Sequence, residues 1–322
     1  MAEDGEVLRQ LWDSYLPVAF HLSSNDLHAI KDPEPYYSMV PRLSYFTLVI
    51  DKVVVYFSQF IDSSAKSAAN LWLDFLGVPL KLNYPIGLLY DLYAADIELP
   101  WIITVNFDNF PSEQLVRCNT RPSLESTYMY ALKEADVLKH RTPRVNTMQK
   151  RDHTALWKGL LDYKFDAFWK INRRLMTPDE PITTSSSSAT NVAEEVTENH
   201  SLTPCVGTFR HVPFRLYLVK PGAEVQHPLY LQKLVSPLLE PPEDRGSTSS
   251  SSSEPSQPQQ QSLATFGHLL SSVLPSPPEA LSAKYRFVVH GIEPSLETPL
   301  QWMSEHFSYL DNFLHIAVFE KT

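Results

Sequence analysis

Hydrophobic positions along the first hundred residues change their spacing several times, and each change predicts a new element. Five short segments have the β-branched and aromatic composition of strands: 16–22, 33–41, 71–76, 80–84 and 101–107. Three segments have apolar residues at helical spacing: 7–12, 44–60 and 86–93. After the leading helix, the order is strand, strand, helix, strand, strand, short helix, strand. This is the order of a ubiquitin-like β-grasp domain, in which a mixed sheet wraps over one helix.

The same order of elements returns in the last third of the chain. Strand patterns occur at 212–219, 228–235, 285–292 and 313–319, and helical patterns at 266–273 and 299–306. Between the two regions, residues 123–176 have helical spacing, with tryptophan and phenylalanine on the apolar side. The predicted fold is therefore α+β, with two ubiquitin-like β-grasp domains flanking a helix-rich domain.

Losses of apolar content mark the predicted domain boundaries. The predicted units are an N-terminal helix (1–15), a first ubiquitin-like domain (16–110), a helix-rich domain (120–177) and a second ubiquitin-like domain (208–322). Two serine-rich segments are predicted to be disordered, a linker at 178–207 and an insertion at 240–262. A surface loop tolerates such an insertion because additional loop length costs little entropy.

Charge and hydropathy narrow the classes of partner. The 322 residues include 37 acidic and 27 basic ones, a net charge of −10 with no basic run, which argues against nucleic acid as the main partner. The segment 43–61 is long and apolar enough to be considered as a membrane span. Asp51 and Lys52 lie near its centre, however, and each would cost about 2.5–3.5 kcal/mol in a bilayer. We expect a soluble protein in which this segment is a helix packed on a sheet.

The cysteines and the N-terminal residues indicate in which cellular compartment the protein is expected. Cys118 and Cys205 form no CxxC pair, which is typical of a reducing compartment and of a chain without a disulfide framework. The N-terminal residues are acidic and lack the apolar core of a signal peptide. A cytoplasmic location is expected.

Sequence motifs of the common catalytic sites are missing. The chain has no dinucleotide-binding, P-loop, zinc-protease or serine-hydrolase motif, and nine glycines leave little material for phosphate-binding loops. His290, His306 and His315 lie near glutamates in the sequence, but structural or surface histidines explain them more simply than a metal site does. We expect no catalytic residue, no metal and no cofactor. A thiol hydrolase using Cys118, with His140 as its nearest histidine, is one alternative that the sequence leaves open.

One lysine in the segment 123–143 has an unusual setting. Apolar residues form one helical stripe in this segment: Leu124, Tyr128, Ala131, Ala135 and Leu138. Ser123 is the predicted N-cap, and Lys139 and His140 lie in the last turn, where the helix dipole favours cations. Lys133 lies on the opposite side, next to Tyr130 and Val137 and one turn before Asp136. The ordinary interpretation is a solvated lysine whose stem covers apolar surface.

Several long segments are similar to one family. The segments are EPYYSMVPRLSYFTLVIDKV (34–53), PLKLNYPIGLLYDL (79–92), LKEADVLKH (132–140), MQKRDHTALWKGL (148–160), FWKINRRLM (168–176) and HGIEPSLETPLQWMSEHFSYLDNFLHI (290–316). They resemble the autophagy protein 5 family. The match covers both β-grasp units and the helical block, and it leaves out the two serine-rich segments.

The resemblance implies a covalent role for Lys133, which occupies the acceptor position of the family's KEAD motif. Members of the family carry an isopeptide bond to the ubiquitin-like autophagy protein 12, made by transient contact with conjugating enzymes. They also bind the N-terminal helix of the coiled-coil autophagy protein 16. The complex acts as an E3-like factor that promotes transfer of autophagy protein 8 onto phosphatidylethanolamine at the phagophore membrane. We therefore expect Lys133→Arg to abolish conjugation and Lys139→Arg to leave it intact.

Three further positions match the family's groove for the coiled-coil partner: Arg42, Gly87 and Asp91. Gly87 would permit close approach of the partner's backbone, and Asp91 would pair with a basic residue of its helix. The alternative is that Gly87 caps a turn and Asp91 is a solvated helix residue. For the whole chain, the alternative to a conjugated adaptor is a plain interaction scaffold in which no lysine is modified.

Overall fold

The structure is a computed structural model that describes residues 2–27, 32–61, 70–179, 207–219, 228–239 and 262–321. The segments predicted to be a disordered linker (178–207) and a disordered insertion (240–262) lie almost entirely outside the described residues.

The first ubiquitin-like unit contains a five-stranded mixed sheet. Its elements are α1 (Ala2–Trp12), β1 (Tyr15–Leu22), β2 (Tyr36–Pro41), α2 (Phe46–Val49), α3 (Asp51–Phe57), β3 (Trp72–Phe75), β4 (Val78–Pro79), α4 (Ile86–Tyr93) and β5 (Trp101–Asn106). The strand order is β2-β1-β5-β3-β4. The central pair β1 and β5 is parallel, and the other pairs are antiparallel. This is the predicted β-grasp topology.

Two details of this unit differ from the prediction. The predicted helix 44–60 is present as α2 and α3, which are separated at Ile50. The predicted returning strand 80–84 is wrong, because the strand ends at Pro79 and, after one more hydrogen bond from the Leu80 N–H to the Leu73 carbonyl, the chain turns toward α4. Leu80 still enters the core from this turn, with 0% exposure. None of the described helices is long and apolar enough to cross a membrane.

The helical block follows the first unit. It consists of α5 (Arg121–Lys139), a 3-10 turn (Val145–Thr147), α6 (Lys150–Leu161) and α7 (Phe165–Met176). Lys164 is the N-cap residue of α7, and it lies in the short connection between α6 and α7. Gly159 lets these two helices approach closely, since a Cβ there would lie 2.7 Å from the Phe168 backbone nitrogen.

The second ubiquitin-like unit repeats the topology with four described strands. Its elements are β6 (Phe214–Val219), β7 (Tyr230–Leu231), α8 (Phe266–Val273), α9 (Pro278–Lys284), β8 (Tyr285–Val288), α10 (Leu300–His306) and β9 (Leu314–Glu320). The order is β7-β6-β9-β8, and β6 and β9 are parallel. The predicted strand 285–292 ends earlier because His290 and Gly291 have positive φ. The sequence pattern did not predict α9, a seven-residue helix with Pro at its first position.

The units share part of one hydrophobic core. Tyr217, Val288 and Ala317 of the second sheet are buried in the same cluster as residues of the first unit and of the helical block. The Tyr84 and Tyr217 rings meet across the junction, with centroids 5.7 Å apart. The relative placement of the two ubiquitin-like units is therefore fixed by apolar packing.

Candidate functional site

A capping box fixes the first turn of α5, the helix that carries Lys133. Thr120 is the N-cap, and its hydroxyl accepts a hydrogen bond from the Ser123 backbone N–H at 3.3 Å. The Ser123 hydroxyl in turn accepts from the Thr120 backbone N–H at 3.2 Å. The prediction of Ser123 as the N-cap is wrong by three residues, because this serine occupies the third helical position, where Glu usually completes the box.

The buried face of α5 sets the rotation of the helix. It consists of Leu124, Tyr128, Leu132, Ala135, Asp136 and Lys139. The Tyr128 hydroxyl donates to the Leu310 carbonyl at 3.0 Å, which ties the helix to the second unit. The Asp136 carboxylate accepts from the Val145 backbone N–H at 2.8 Å. With this face held inward, Lys133 points outward.

Lys133 is exposed. In the part of the chain that the structure describes, no hydrogen bond or ion pair involves its side chain. Its neighbours Tyr130 and Val137 are 73% and 50% exposed. Asp136 is buried and bonded elsewhere, so the pairing with Lys133 that the spacing suggested is not formed. The result is a free amine in an apolar, solvent-exposed setting.

Glu134, next to the lysine, anchors α5 to the second sheet. Its carboxylate accepts hydrogen bonds from Arg215 at 2.9 Å and from Gln232 at 3.3 Å. The Arg215 guanidinium also lies 3.9 Å from the centroid of the Phe313 ring. Lys133 therefore lies beside the junction of the helical block and the second unit.

Lys139, six residues after Lys133, is fully buried. Its Nζ lies 2.8 Å from the Met176 sulfur and 4.7 Å from the centroid of the Phe209 ring. Burial lowers the pKa of Lys139 to about 7. Lys139 does lie in the last turn of α5 as predicted, but it is buried, and Lys139→Arg is therefore unsuitable as a neutral control. Its helical spacing from Leu132 and Ala135 was the signal in the sequence that could have revealed this.

The thiol-hydrolase alternative has no support in the structure. Cys118 is 1% exposed, and burial raises the pKa of its thiol, which disfavours the reactive thiolate. The His140 imidazole is bonded to the Asp179 carboxylate at 3.1 Å and to the Leu175 carbonyl at 2.9 Å. Within the described residues, no three or more His, Cys, Asp or Glu side chains are grouped so that they could hold a metal ion.

Arg42, Gly87 and Asp91 are brought together where the two ubiquitin-like units meet. Arg42 donates to one Asp91 carboxylate oxygen at 2.5 Å. The other oxygen accepts from the Gly291 backbone N–H, in the second unit, at 3.0 Å. The Gly87 backbone N–H donates to the Arg42 carbonyl at 2.7 Å, and a Cβ on Gly87 would lie 3.0 Å from that oxygen.

These contacts differ from the environments expected for Asp91 and Gly87, and the assignment of the three residues to a partner groove stays a prediction. Asp91 is 2% exposed and both of its oxygens are bonded within the chain, so it is neither a solvated helix residue nor an acid left free for a partner. Gly87 lies inside α4 rather than at a turn, and the backbone that approaches it closely is that of Arg42. Asp91 joins Arg42 of its own unit to Gly291 of the second unit, and Gly87 packs on Arg42 within the first unit.

A cavity of about 370 Å³ lies at this junction. Its lining comes from both units and includes Leu16, Arg42, Tyr90, Asp91, Leu99, Arg286 and His290. Arg286 spans the junction a second time, with two hydrogen bonds of 2.8 Å to the Asp96 carboxylate. Burial lowers the pKa of His290 to about 3, so its imidazole is uncharged at neutral pH.

Comparison with known proteins identifies all three units. Family models match the UblA domain of autophagy protein ATG5 at residues 11–107, its alpha-helical bundle region at 121–178 and its UblB domain at 211–318. Autophagy protein 5 of Drosophila melanogaster is 40% identical over 99% of this chain and 98% of that protein. Autophagy-related protein 5 of Caenorhabditis elegans is 30% identical over 98% of each.

A solved structure agrees at the level of the fold. The crystal structure of Kluyveromyces marxianus Atg5 matches with a TM-score of 0.67 and 15% identity, over 97% of this chain and 98% of that chain. The two ubiquitin-like domains and the helical block between them are thus the architecture of a known family. The chain belongs to the autophagy protein 5 family, and its role is in autophagy.

Proposed function

We propose that this protein is an adaptor that accepts the ubiquitin-like autophagy protein 12 on Lys133. The observation that supports this most is the free amine on the outward face of α5, without a hydrogen bond or ion pair in the described parts of the chain. In the KEAD sequence, Glu134 and Asp136 hold the helix in place, and Lys133 alone is presented. The protein itself is then a substrate of conjugation and not an enzyme.

The chemistry of the step is aminolysis of a thioester. The Lys133 nitrogen attacks the carbonyl carbon of the modifier's C-terminal glycine, which is held as a thioester on a conjugating enzyme. The C–N bond forms, the C–S bond breaks, the enzyme cysteine leaves as thiolate, and the amine proton passes to a base. No group of the described chain is placed to take this proton: Glu134 is bonded to Arg215 and Gln232, and Asp136 is buried. The base should therefore come from the conjugating enzyme.

The groove between the ubiquitin-like units is the proposed site for the N-terminal helix of autophagy protein 16. Its walls come from both units, and the Arg42–Asp91–Gly291 contacts hold those walls at a fixed separation. A partner helix that lies there would depend on Arg42, Gly87 and Asp91 through the shape of the groove. The assembled complex would act from the cytoplasm on the phagophore membrane, as an E3-like factor for lipidation of autophagy protein 8.

Reconstituted conjugation tests the proposal. The chain is combined with autophagy protein 12, its activating and conjugating enzymes and ATP, and the adduct is followed on a reducing gel. Lys133→Arg should abolish the adduct. Lys158→Arg, which changes another exposed lysine of the helical block, should leave it unchanged. An adduct on the Lys133→Arg protein would refute the acceptor assignment, and no adduct on the unmodified chain would favour a plain scaffold.

A further inference from the structure

The helical block has two exposed large apolar side chains, and both flank Lys133. Tyr130 and Val137 are 73% and 50% exposed. Across residues 121–178, all of which the structure describes, no other large apolar side chain is exposed. A surface helix normally presents polar and charged side chains to solvent. Here the exceptions occur only around one lysine, which indicates that they belong to the function of that lysine.

Helix geometry brings the two apolar side chains next to Lys133. Tyr130 lies three residues before Lys133 and Val137 four residues after it, so all three share the outward face of α5. Side chains of an α-helix lean toward its N-terminus, so Lys133 extends toward Tyr130 and Val137 extends toward Lys133. The nearby carboxylates are held elsewhere, because Glu134 is bonded to the second sheet and Asp136 is buried. Lys133 is thus bordered by apolar groups in both directions along the helix.

Other exposed lysines of the block lack this setting and serve as an internal comparison. Lys158 is followed one turn later by the exposed carboxylate of Asp162. Lys170 is followed one turn later by two exposed arginines, Arg173 and Arg174. Within the described helical block, neither lysine has an exposed large apolar side chain one turn away. The apolar pair therefore distinguishes Lys133 from other lysines that are also exposed.

The proposed conjugation requires a second protein to cover this part of α5. The thioester carbon must come within about 3–3.5 Å of the attacking nitrogen. One helical turn is about 5.4 Å long, so an enzyme surface that brings the thioester to Lys133 also reaches the side chains one turn before and after it. Apolar side chains at those positions exclude water from the reacting centre. Apolar surroundings also favour the uncharged form of an amine, which is the nucleophile.

We propose that Tyr130 and Val137 are positioning residues that pack against the conjugating enzyme and thereby select Lys133 as the acceptor. This inference rests on the proposed function. In the aminolysis step the Lys133 nitrogen bonds to the thioester carbon, the bond from that carbon to the enzyme sulfur breaks, the sulfur leaves as thiolate, and the amine proton passes to a base of the enzyme. Tyr130 and Val137 make no bond and move no proton, and they hold the amine at the thioester in a site without water.

Single-turnover conjugation of the full-length chain tests the apolar pair. The conjugating enzyme is first loaded with autophagy protein 12 as a thioester, and adduct formation is then followed over a range of chain concentrations. Tyr130→Ala/Val137→Ala should lower the maximal rate by roughly tenfold or more, because the amine is then misplaced and hydrated. Tyr130→Phe/Val137→Ile preserves the apolar surface and should keep most of the rate. The matched control, Val55→Ala/Val116→Ala, changes side chains outside the helical block that are 66% and 81% exposed and should react normally.

Acetylation with a small soluble reagent separates contact with the enzyme from a change in the amine itself. N-hydroxysuccinimide acetate needs no protein surface for its reaction with a lysine. Lys133 of Tyr130→Ala/Val137→Ala should therefore be acetylated at an unchanged rate, measured by peptide mass spectrometry. Slower acetylation would show that the pair acts on the exposure or the folding of α5, and the positioning role would be wrong.

Two kinetic results would also overturn the inference. An unchanged maximal rate in Tyr130→Ala/Val137→Ala would remove the pair from the reaction, and a higher half-saturating concentration alone would reduce its role to affinity. Both results would leave Lys133 as the acceptor. Failure of the proposed function is distinguishable from these, because the unmodified chain would then form no adduct, or the Lys133→Arg chain would still form one.

Discussion

The outward face of α5 and the junction around Asp91 are the two candidate sites, and they are built in opposite ways. At Lys133 the charged group is exposed and free of partners within the described residues. At Asp91 the carboxylate is 2% exposed, and both of its oxygens are bonded, one to Arg42 and one to Gly291. The first site presents a group, and the second holds two domains together.

This difference predicts how each site fails. An exposed side chain without partners can be substituted without disturbing the fold, so substitution of Lys133 should abolish conjugation and leave stability unchanged. A buried charge that bridges two units cannot be removed without leaving its partner unpaired. Substitution of Asp91 should therefore lower the stability of the fold, and it should weaken binding of the proposed partner only as a consequence.

The largest expected effect is the complete loss of conjugation when the amine of Lys133 is removed. Lys133→Cys should lose all adduct that survives reducing agent, because a thiol can give only a labile thioester. Alkylation of that cysteine with 2-bromoethylamine rebuilds a lysine-like amine and should restore a stable adduct, measured on a reducing gel. The control is Lys158→Cys in a Lys133→Arg chain, treated in the same way. Restoration in the control as well would show that any exposed amine of the helical block is sufficient.

Removal of the buried Asp91 carboxylate tests whether this residue stabilises the junction between the two units. Asp91→Ala leaves the Arg42 guanidinium without its counter-charge, a type of change that costs about 3–5 kcal/mol. Chemical denaturation should show this loss, and Asp162→Ala, which removes an exposed carboxylate just after the end of α6, should change stability little. If Asp91→Ala kept full stability but lost the coiled-coil partner, Asp91 would be a contact residue and the comparison would fail.

A smaller loss is expected at Gly87. In Gly87→Ala the new methyl group would lie 3.0 Å from the Arg42 carbonyl and 3.1 Å from its Cβ, so the α4–Arg42 contact must open slightly. Overpacking of this kind costs about 1–3 kcal/mol. Denaturation measures the stability, and calorimetric titration with the helix of the proposed coiled-coil partner measures the affinity of the proposed groove. Gly5→Ala is the control, because a Cβ there meets nothing within 4 Å. Equal stability of both variants would mean that Gly87 has no role in holding Arg42 against α4.

The smallest expected effect is the change of the unfolding free energy per pH unit that Lys139 causes. Lys139 is the buried lysine on the same helix as Lys133. Its pKa is about 7 in the folded chain against an ordinary 10.5, so between these values the unfolded chain binds a proton that the folded chain does not. Lys139 therefore makes the unfolding free energy rise with pH in this window, by roughly 1 kcal/mol per pH unit. Comparison of the chain with Lys139→Met at pH 7, 8, 9 and 10 isolates this contribution. Parallel curves for the two proteins would show that the amine titrates as if it were in solvent.

Local patterns were sufficient for much of the fold. Helices α4 and α8 have the bounds that the apolar spacing predicts, because each is a short amphipathic segment with a clear start. The element order gave the strand topology of the first sheet. The domain boundaries stay predictions, as do the assignments of Lys133 and of the groove.

Features that depend on distant residues escaped prediction. Gly291 binds Asp91 across 200 positions of sequence, and only the packed second unit brings them together. Lys139 is buried because Phe209 and Met176 pack against it, whereas the local spacing predicted only a cation in the last turn of the helix. In both cases the environment of a charged group is made by another unit, which a pattern within one helix does not contain.

Mass spectrometry of the protein isolated from cells tests the central claim most directly. After tryptic digestion, a branched peptide is sought that carries the C-terminal residues of a ubiquitin-like modifier on a lysine. The account predicts this branch at Lys133, with unbranched peptides covering Lys158 and Lys170, two exposed lysines of the same helical block. A branch at another lysine, with Lys133 unmodified, would contradict it.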